Sequence, residues 1–143
     1  MTVFEKREGG FQFIEEGEVL TPPETDRFLR LLNNELVSAG LAVRRARRVE
    51  LDRFMEYSAA RKSHELDPDC PEVGTGAGKV TAKAEEAWFE RRIPEPYWAW
   101  KNAVLDRQNA AAYMSQVSKQ VEIMRSLNKN ANDHFGTYRG GGK

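Results

Sequence analysis

Between Pro22 and Leu66 nothing in the chain tells a helix to stop. Thr21-Pro22-Pro23-Glu24 opens the run with an N-cap residue, a proline at the first helical position and a capping-box glutamate. Asp67-Pro68 closes it. Apolar residues recur at Phe28, Leu31/Leu32, Leu36, Ala39, Ala42/Val43, Ala46, Val49, Phe54 and Tyr57, the three-to-four spacing of one buried stripe. Straight, such a helix spans roughly 65 Å at ~1.5 Å per residue. A second run, from Pro96 to about Asp133, answers it. Two helices of this length in 143 residues do not make an ordinary compact globule. The expected fold is mainly all-α: a long antiparallel, coiled-coil-like helical hairpin.

The remaining segments arrange themselves around that hairpin. Residues 1–20 form an acidic head. Within it Gly10-Phe11-Gln12-Phe13-Ile14 alternates like a strand, Glu15-Glu16-Gly17-Glu18 offers a turn, and Val19-Leu20 returns as a second strand. Two strands alone are marginal in water, so this short β-hairpin or extended head has to lie on something. The helical part covers 21–133: a helix over 22–66, a Pro/Gly-rich linker over 67–79 and a kinked helix over 80–133. Gly40 costs the first helix about 1 kcal/mol relative to Ala and allows a bend. Ile93-Pro94-Glu95-Pro96 interrupts the second, because proline lacks an amide donor and clashes with the preceding turn. Val80, Ala84, Ala87 and Trp88 before it, and Tyr97, Trp100, Val104, Ala111, Met114, Val117/Ser118, Val121, Met124 and Leu127 after it, keep helical spacing. Residues 134–143, ending in three glycines and Lys143, read as a flexible tail. The stripes are alanine-rich and broken by Arg107/Gln108 and Asn128, and a core this thin calls for a homo-oligomer.

Charge is balanced overall, with Lys+Arg and Asp+Glu at 22 each, so no global field marks a nucleic-acid or membrane-surface protein. Its placement is uneven. Met1–Asp26 holds seven acids against two bases, and Arg27–Lys62 nine bases against four acids. Acidic head and basic arm could pair, within one chain or between chains. The single Cys70 excludes an internal disulfide and fits a reducing cytoplasm. No apolar run approaches the roughly 18–20 residues of a membrane span. The N-terminal stretch, with Glu5, Glu8, Glu15 and Glu16, lacks a signal-peptide pattern.

Arg44-Arg45-Ala46-Arg47-Arg48 is the sharpest charged feature. On a helix Arg44 and Arg48 share a face and Arg45 and Arg47 flank it. The stretch reads either as a solvated face bridged to Glu50, Asp52 and the acidic head, or as a phosphate-contacting stripe, for which the planar guanidinium is suited. Gly74-Thr75-Gly76-Ala77-Gly78-Lys79-Val80-Thr81 invites a phosphate-loop reading, but Val73 stands at the first glycine position, Val80 replaces the required Ser/Thr, and no strand precedes it. What remains is a loop whose amides, with Lys79 and then Lys83, could touch a backbone phosphate near a helix start. Trp88, Phe89, Tyr97, Trp98 and Trp100 crowd around the prolines as a local core, a partner-binding surface or a stacking platform for unpaired bases. Lys129, His134, Phe135, Tyr138, Arg139 and the glycines resemble the tails of single-strand binders. His64, Cys70 and His134, with Asp67 and Asp69, do not form a metal-ligand set, and neither a hydrolase dyad nor a Ser–His–Asp triad assembles. No catalytic residue and no cofactor is expected.

Three segments carry a resemblance: Phe54-Met55-Glu56-Tyr57-Ser58-Ala59-Ala60-Arg61-Lys62; Lys79-Val80-Thr81-Ala82-Lys83-Ala84-Glu85-Glu86-Ala87-Trp88; and Ala110-Ala111-Ala112-Tyr113 with Met124-Arg125-Ser126-Leu127-Asn128-Lys129-Asn130. This layout, covering roughly residues 25–131, resembles small bacteriophage helical-hairpin proteins, some similar to the recombination mediators of T-even phages. The resemblance implies a non-enzymatic, oligomeric accessory protein of the host cytoplasm that contacts single-stranded DNA or a recombinase. The rival expectation is a protein-binding part, such as an assembly component, a chaperone-like protein or a host inhibitor, using the aromatic cluster and the acidic head.

Overall fold

The computed structural model describes residues 4–7, 10–13 and 21–140. Two short strands, β1 (Phe4–Arg7) and β2 (Gly10–Phe13), precede three helices: α1 (Pro22–Lys62), α2 (Ala82–Arg92) and α3 (Pro94–Gly140). The fold is the expected all-α helical hairpin. It divides into two compact units, one of residues 1–43 with 109–143 and one of residues 44–108.

In the first unit the beginning of α1 lies antiparallel to the end of α3. Phe28 and Leu32 bury against Val117, Val121 and Met124. Thr25 is fully buried, and its hydroxyl lies 2.9 Å from the Pro22 carbonyl and 2.7 Å from Asn128 Oδ1. A hydroxyl has one hydrogen. Both contacts are satisfied when Thr25 donates to Pro22 and the Asn128 amide group turns to donate to Thr25. Asn128, which interrupts the apolar pattern, is thus the polar pin that sets the register of the two helices. α1 is continuous through Gly40. A Cβ there would find only Met114 Cε, at 4.0 Å, so no close approach demands the glycine.

The head docks on this unit. β1 and β2 pair antiparallel with Lys6 opposite Phe11. The partner strand is therefore Phe4–Arg7, upstream of β2. The expected strand Val19–Leu20 and turn 15–18 lie outside the described residues. Gln120 of α3 grips β2 at both ends of one residue: the Phe11 N–H donates to Gln120 Oε1 (3.0 Å), and Gln120 Nε2 donates to the Phe11 carbonyl (2.8 Å). The Phe11 ring stands edge-on to Phe28 at 5.9 Å, and Lys6 pairs with Glu35 at 2.7 Å. A two-stranded ribbon too small to hold itself is held by a side-chain amide acting as a third strand. Gln120→Met, similar in volume but unable to bond, should destabilise the protein by about 1–3 kcal/mol and expose the Phe11 amide to hydrogen exchange. Unchanged protection of that amide would refute the clamp.

In the second unit Tyr57 of α1, Phe89 of α2, and Ile93 and Tyr97 around the start of α3 form a core, with Trp88, Trp100, Ala60 and Cys70 against it. α1 ends at Lys62, earlier than Leu66, and turns follow through His64 and Asp67. The loop beyond is closed by backbone bonds: the Val80 N–H donates to the Glu72 carbonyl (2.9 Å) and the Gly74 N–H to the Val80 carbonyl (3.2 Å). Gly78 holds φ at 78°, a conformation that favours glycine. Thr81 caps α2 by accepting from the Ala84 N–H at 3.2 Å.

The expected kinked helix over 80–133 is two helices that share one hinge residue. The Ile93 N–H donates to the Phe89 carbonyl (2.8 Å), closing α2, and the Ile93 carbonyl accepts from the Tyr97 N–H (3.3 Å), opening α3. Pro94 and Pro96 occupy the first turn, where amides need no intrahelical partner, so proline starts the helix instead of bending it. α3 continues through Gly140, across most of the stretch read as a tail.

Candidate functional site

Arg44, Arg45, Arg47 and Arg48 lie together on α1 in the second unit, and all four are exposed. Val43 and Tyr57 bury on the helix's inward side. The 3.6-residue period turns Arg44, Arg45 and Arg48 away from it, while Arg47, one turn after Val43, lies at its edge and is exposed. Among the described residues, none of the four has a carboxylate within ion-pair distance. The candidates supplied by the sequence are engaged elsewhere or stand apart. Glu50 is bound to Arg107 of α3. Asp52, four residues beyond Arg48, forms no ion pair with it. Glu56 takes Arg53 at 3.0 Å. The rest of this unit satisfies its charges more fully: Arg61 meets Glu85 at 2.9 Å, Arg92 meets Asp67 at 3.2 Å, and Lys101 meets Glu86 at 2.7 Å.

The other two cations expected at the site stand apart from this face. Lys79 is paired with Glu72, and the Gly74, Lys79 and Val80 amides are spent on the bonds that close the loop. Lys83 is exposed in the first turn of α2. Its neighbour Glu85 contacts Arg61, which lies thirteen residues beyond Arg48, or ~20 Å along α1. The exposed basic run of α1 therefore consists of the four arginines alone.

The aromatic residues divide by burial. Tyr97 is 6% exposed, and Trp100 stacks on Tyr57 at 5.0 Å and 13°. Trp88 stands edge-on to Phe89 at 4.9 Å. Tyr97 is core, Trp88 and Trp100 are half-buried against it, and Trp98, 50% exposed, is the most accessible of the four. Two cations cap the cluster: the Arg61 guanidinium lies 4.3 Å from the Phe89 ring centre and Lys101 Nζ 4.4 Å from that of Trp100. Tyr97 donates to Glu86 Oε1 at 3.0 Å, and burial, with Glu86 beside it, pushes its phenol up to about 12. Hydrogen bonds from Lys101 and Tyr97 hold the Glu86 carboxyl below its ordinary value.

Among the described residues the buried Tyr57 hydroxyl has no partner at good hydrogen-bond geometry: the neighbouring Arg61 guanidinium, the donor nearest in kind, is bound to Glu85. A buried hydroxyl with no partner costs about 1–3 kcal/mol. Tyr57→Phe should therefore leave stability unchanged or raise it by about 1 kcal/mol, the reverse of the usual core mutation. A loss above about 1 kcal/mol in urea unfolding would show that the hydroxyl is partnered.

Sequence reasoning named the four arginines, which lie on α1, and the aromatic residues, which lie on α2 and at the start of α3. It missed Arg61–Glu85, Glu50–Arg107 and the Lys101–Glu86–Tyr97 cluster. Each joins residues on different helices, and no local spacing encodes such a pair. Among the described residues, no three of His, Cys, Asp and Glu are placed to hold a metal ion, and no helix is long and apolar enough to cross a membrane. No protein-family model, no curated protein and no solved structure matches this chain.

Proposed function

We propose that this chain is a non-enzymatic, self-associating accessory protein that contacts single-stranded DNA through Arg44, Arg45, Arg47 and Arg48, in keeping with its resemblance to phage recombination mediators. The observation that carries the reading is that these four guanidinium groups are exposed and, among the described residues, without carboxylate partners, packed into little more than one helical turn. Four such cations repel one another, and a run of phosphates relieves that repulsion while releasing counterions. Arginine also binds two phosphate oxygens with one planar fork.

The test is fluorescence anisotropy of a labelled single-stranded oligonucleotide, titrated at low and at physiological salt. Binding should weaken with salt, with a slope of log affinity on log salt of about −3 for four phosphate contacts to a single strand. Replacing the four arginines by alanine should abolish it. No binding even at low salt would sink the proposal.

One observation favours a protein partner instead. Trp98 and Leu105, one heptad apart on α3, are 50% and 54% exposed. Large apolar side chains repeated along one helix face suit a helical or extended peptide partner.

A further inference from the structure

The outward face of α1 in the second unit is not only basic. Arg44, Arg48, Leu51 and Met55 follow one another at spacings of four, three and four, so they form a single stripe. Leu51 is 54% exposed and Met55 62% exposed. A complementary segment would be acidic and then apolar. This chain contains one, outside the described residues: Glu15-Glu16-Gly17-Glu18-Val19-Leu20.

As a whole, that segment cannot lie along its own chain's stripe from Arg44 to Met55. Fully extended, Glu18 stands no more than ~11 Å from Thr21, and Glu15 no more than ~21 Å. Val43, immediately before the arginines, lies ~32 Å from Pro22 along α1. A symmetric pairing of two α1 faces in parallel register is disfavoured as well, because it sets arginines against arginines.

We propose that the Arg44–Arg48 face, with Leu51 and Met55, receives residues 15–20 of a second copy. The contact is heterologous: each copy offers an acidic segment at one place and a basic stripe at another, so association proceeds head to tail into a ring or an open filament. The pairing does not require the arginines to bind DNA: the neighbour's acids and a strand of phosphates compete for the same face, so DNA would be contacted only where that face is uncovered.

Sedimentation velocity of the nuclease-treated full chain tests it. The protein should self-associate at low salt and dissociate as salt rises. Glu15→Gln/Glu16→Gln/Glu18→Gln, and separately Arg44→Ala/Arg45→Ala/Arg47→Ala/Arg48→Ala, should each weaken association by at least about tenfold with helix content unchanged. The decisive sample is an equimolar mixture of the two variants. Acids from one and arginines from the other complete one interface, so a one-to-one complex should form and grow no further. A glutamine variant that associates like the parent, a parent that stays monomeric at low salt, or a mixture that forms no complex would each overturn the proposal. DNA binding, kept or lost, leaves this result unaffected.

Discussion

Phe89→Ala should cost about 3–5 kcal/mol, the range for truncating a fully buried phenylalanine. Phe89 is 0% exposed and is the buried residue of α2. With 11 residues, α2 is shorter than the roughly 12–15 that make even a good isolated helix marginal in water. It exists because one ring inserts among Tyr57, Ile93 and Tyr97. Once that ring is gone, the anchors of α2 include Arg61–Glu85 and Tyr97–Glu86, polar contacts near the surface that contribute little. Urea unfolding should show the loss, and hydrogen exchange should show it concentrated in residues 82–92. Leu66→Ala, at 93% exposure, is the matched control and should stay within about 0.5 kcal/mol. A loss under about 1 kcal/mol at Phe89, or exchange that rises equally everywhere, would refute the claim that this ring holds α2.

Alkaline pH should unfold the protein through its tyrosines. Each unit contains the same arrangement: a lysine and a tyrosine share one carboxylate oxygen. In the first unit Lys6 and Tyr113 meet Glu35 Oε1, at 2.7 and 2.5 Å. In the second, Lys101 and Tyr97 meet Glu86 Oε1, at 2.7 and 3.0 Å. Burial, joined by the neighbouring carboxylate, raises Tyr113 and Tyr97 from 10.0 to about 12. The folded value lies above the unfolded one. The stability these neutral phenols carry is therefore complete below pH 10 and is lost as pH rises from 10 towards about 12, at most roughly 2–3 kcal/mol per ring. Burial raises Tyr57 as well. Three of the four tyrosines should thus ionise late when phenolate absorbance is followed against pH, together with loss of helical signal. Normal titration near pH 10 in the folded protein would refute this.

The acid limb has the opposite sign. Glu35, Glu86 and Asp67 are held below their ordinary values, Glu35 chiefly by its bond from Lys6, Glu86 by that from Lys101 and Asp67 by that from His64. Their contribution is present above the ordinary carboxylate range and disappears as pH falls through it.

How much of this was legible beforehand differs from residue to residue. Phe28, Leu32, Ala39, Val43 and Tyr57 were readable as one face of α1, because burial of a helix follows its own period. The same period could not rank them. Leu31, Val49 and Phe54 share the apolar pattern but are 39%, 45% and 45% exposed, since the width of the buried stripe depends on what packs against it. Pro94 and Pro96 announced a break, but their place in the first turn of α3 was decided by Ile93 bonding both ways. The head was recognisable as a ribbon needing support, whereas its docking on Gln120 was not, because the contact joins residues 109 positions apart.

The candidate site divides the same way. The sequence by itself determined that four arginines fall within five residues of one helix, and helical periodicity turned Arg44, Arg45 and Arg48 outward; the exposure of Arg47, on the edge of the Val43 face, was decided by packing. Whether they were free depended on where Glu50 went. Its partner, Arg107, lies 57 residues away, and the antiparallel packing of α3 on α1 within the second unit brings the two together. Local chemistry therefore specified the helices and the composition of their faces. Tertiary packing alone decided which charges were neutralised, because an ion pair between helices depends on distance in space and leaves no periodic trace along the chain.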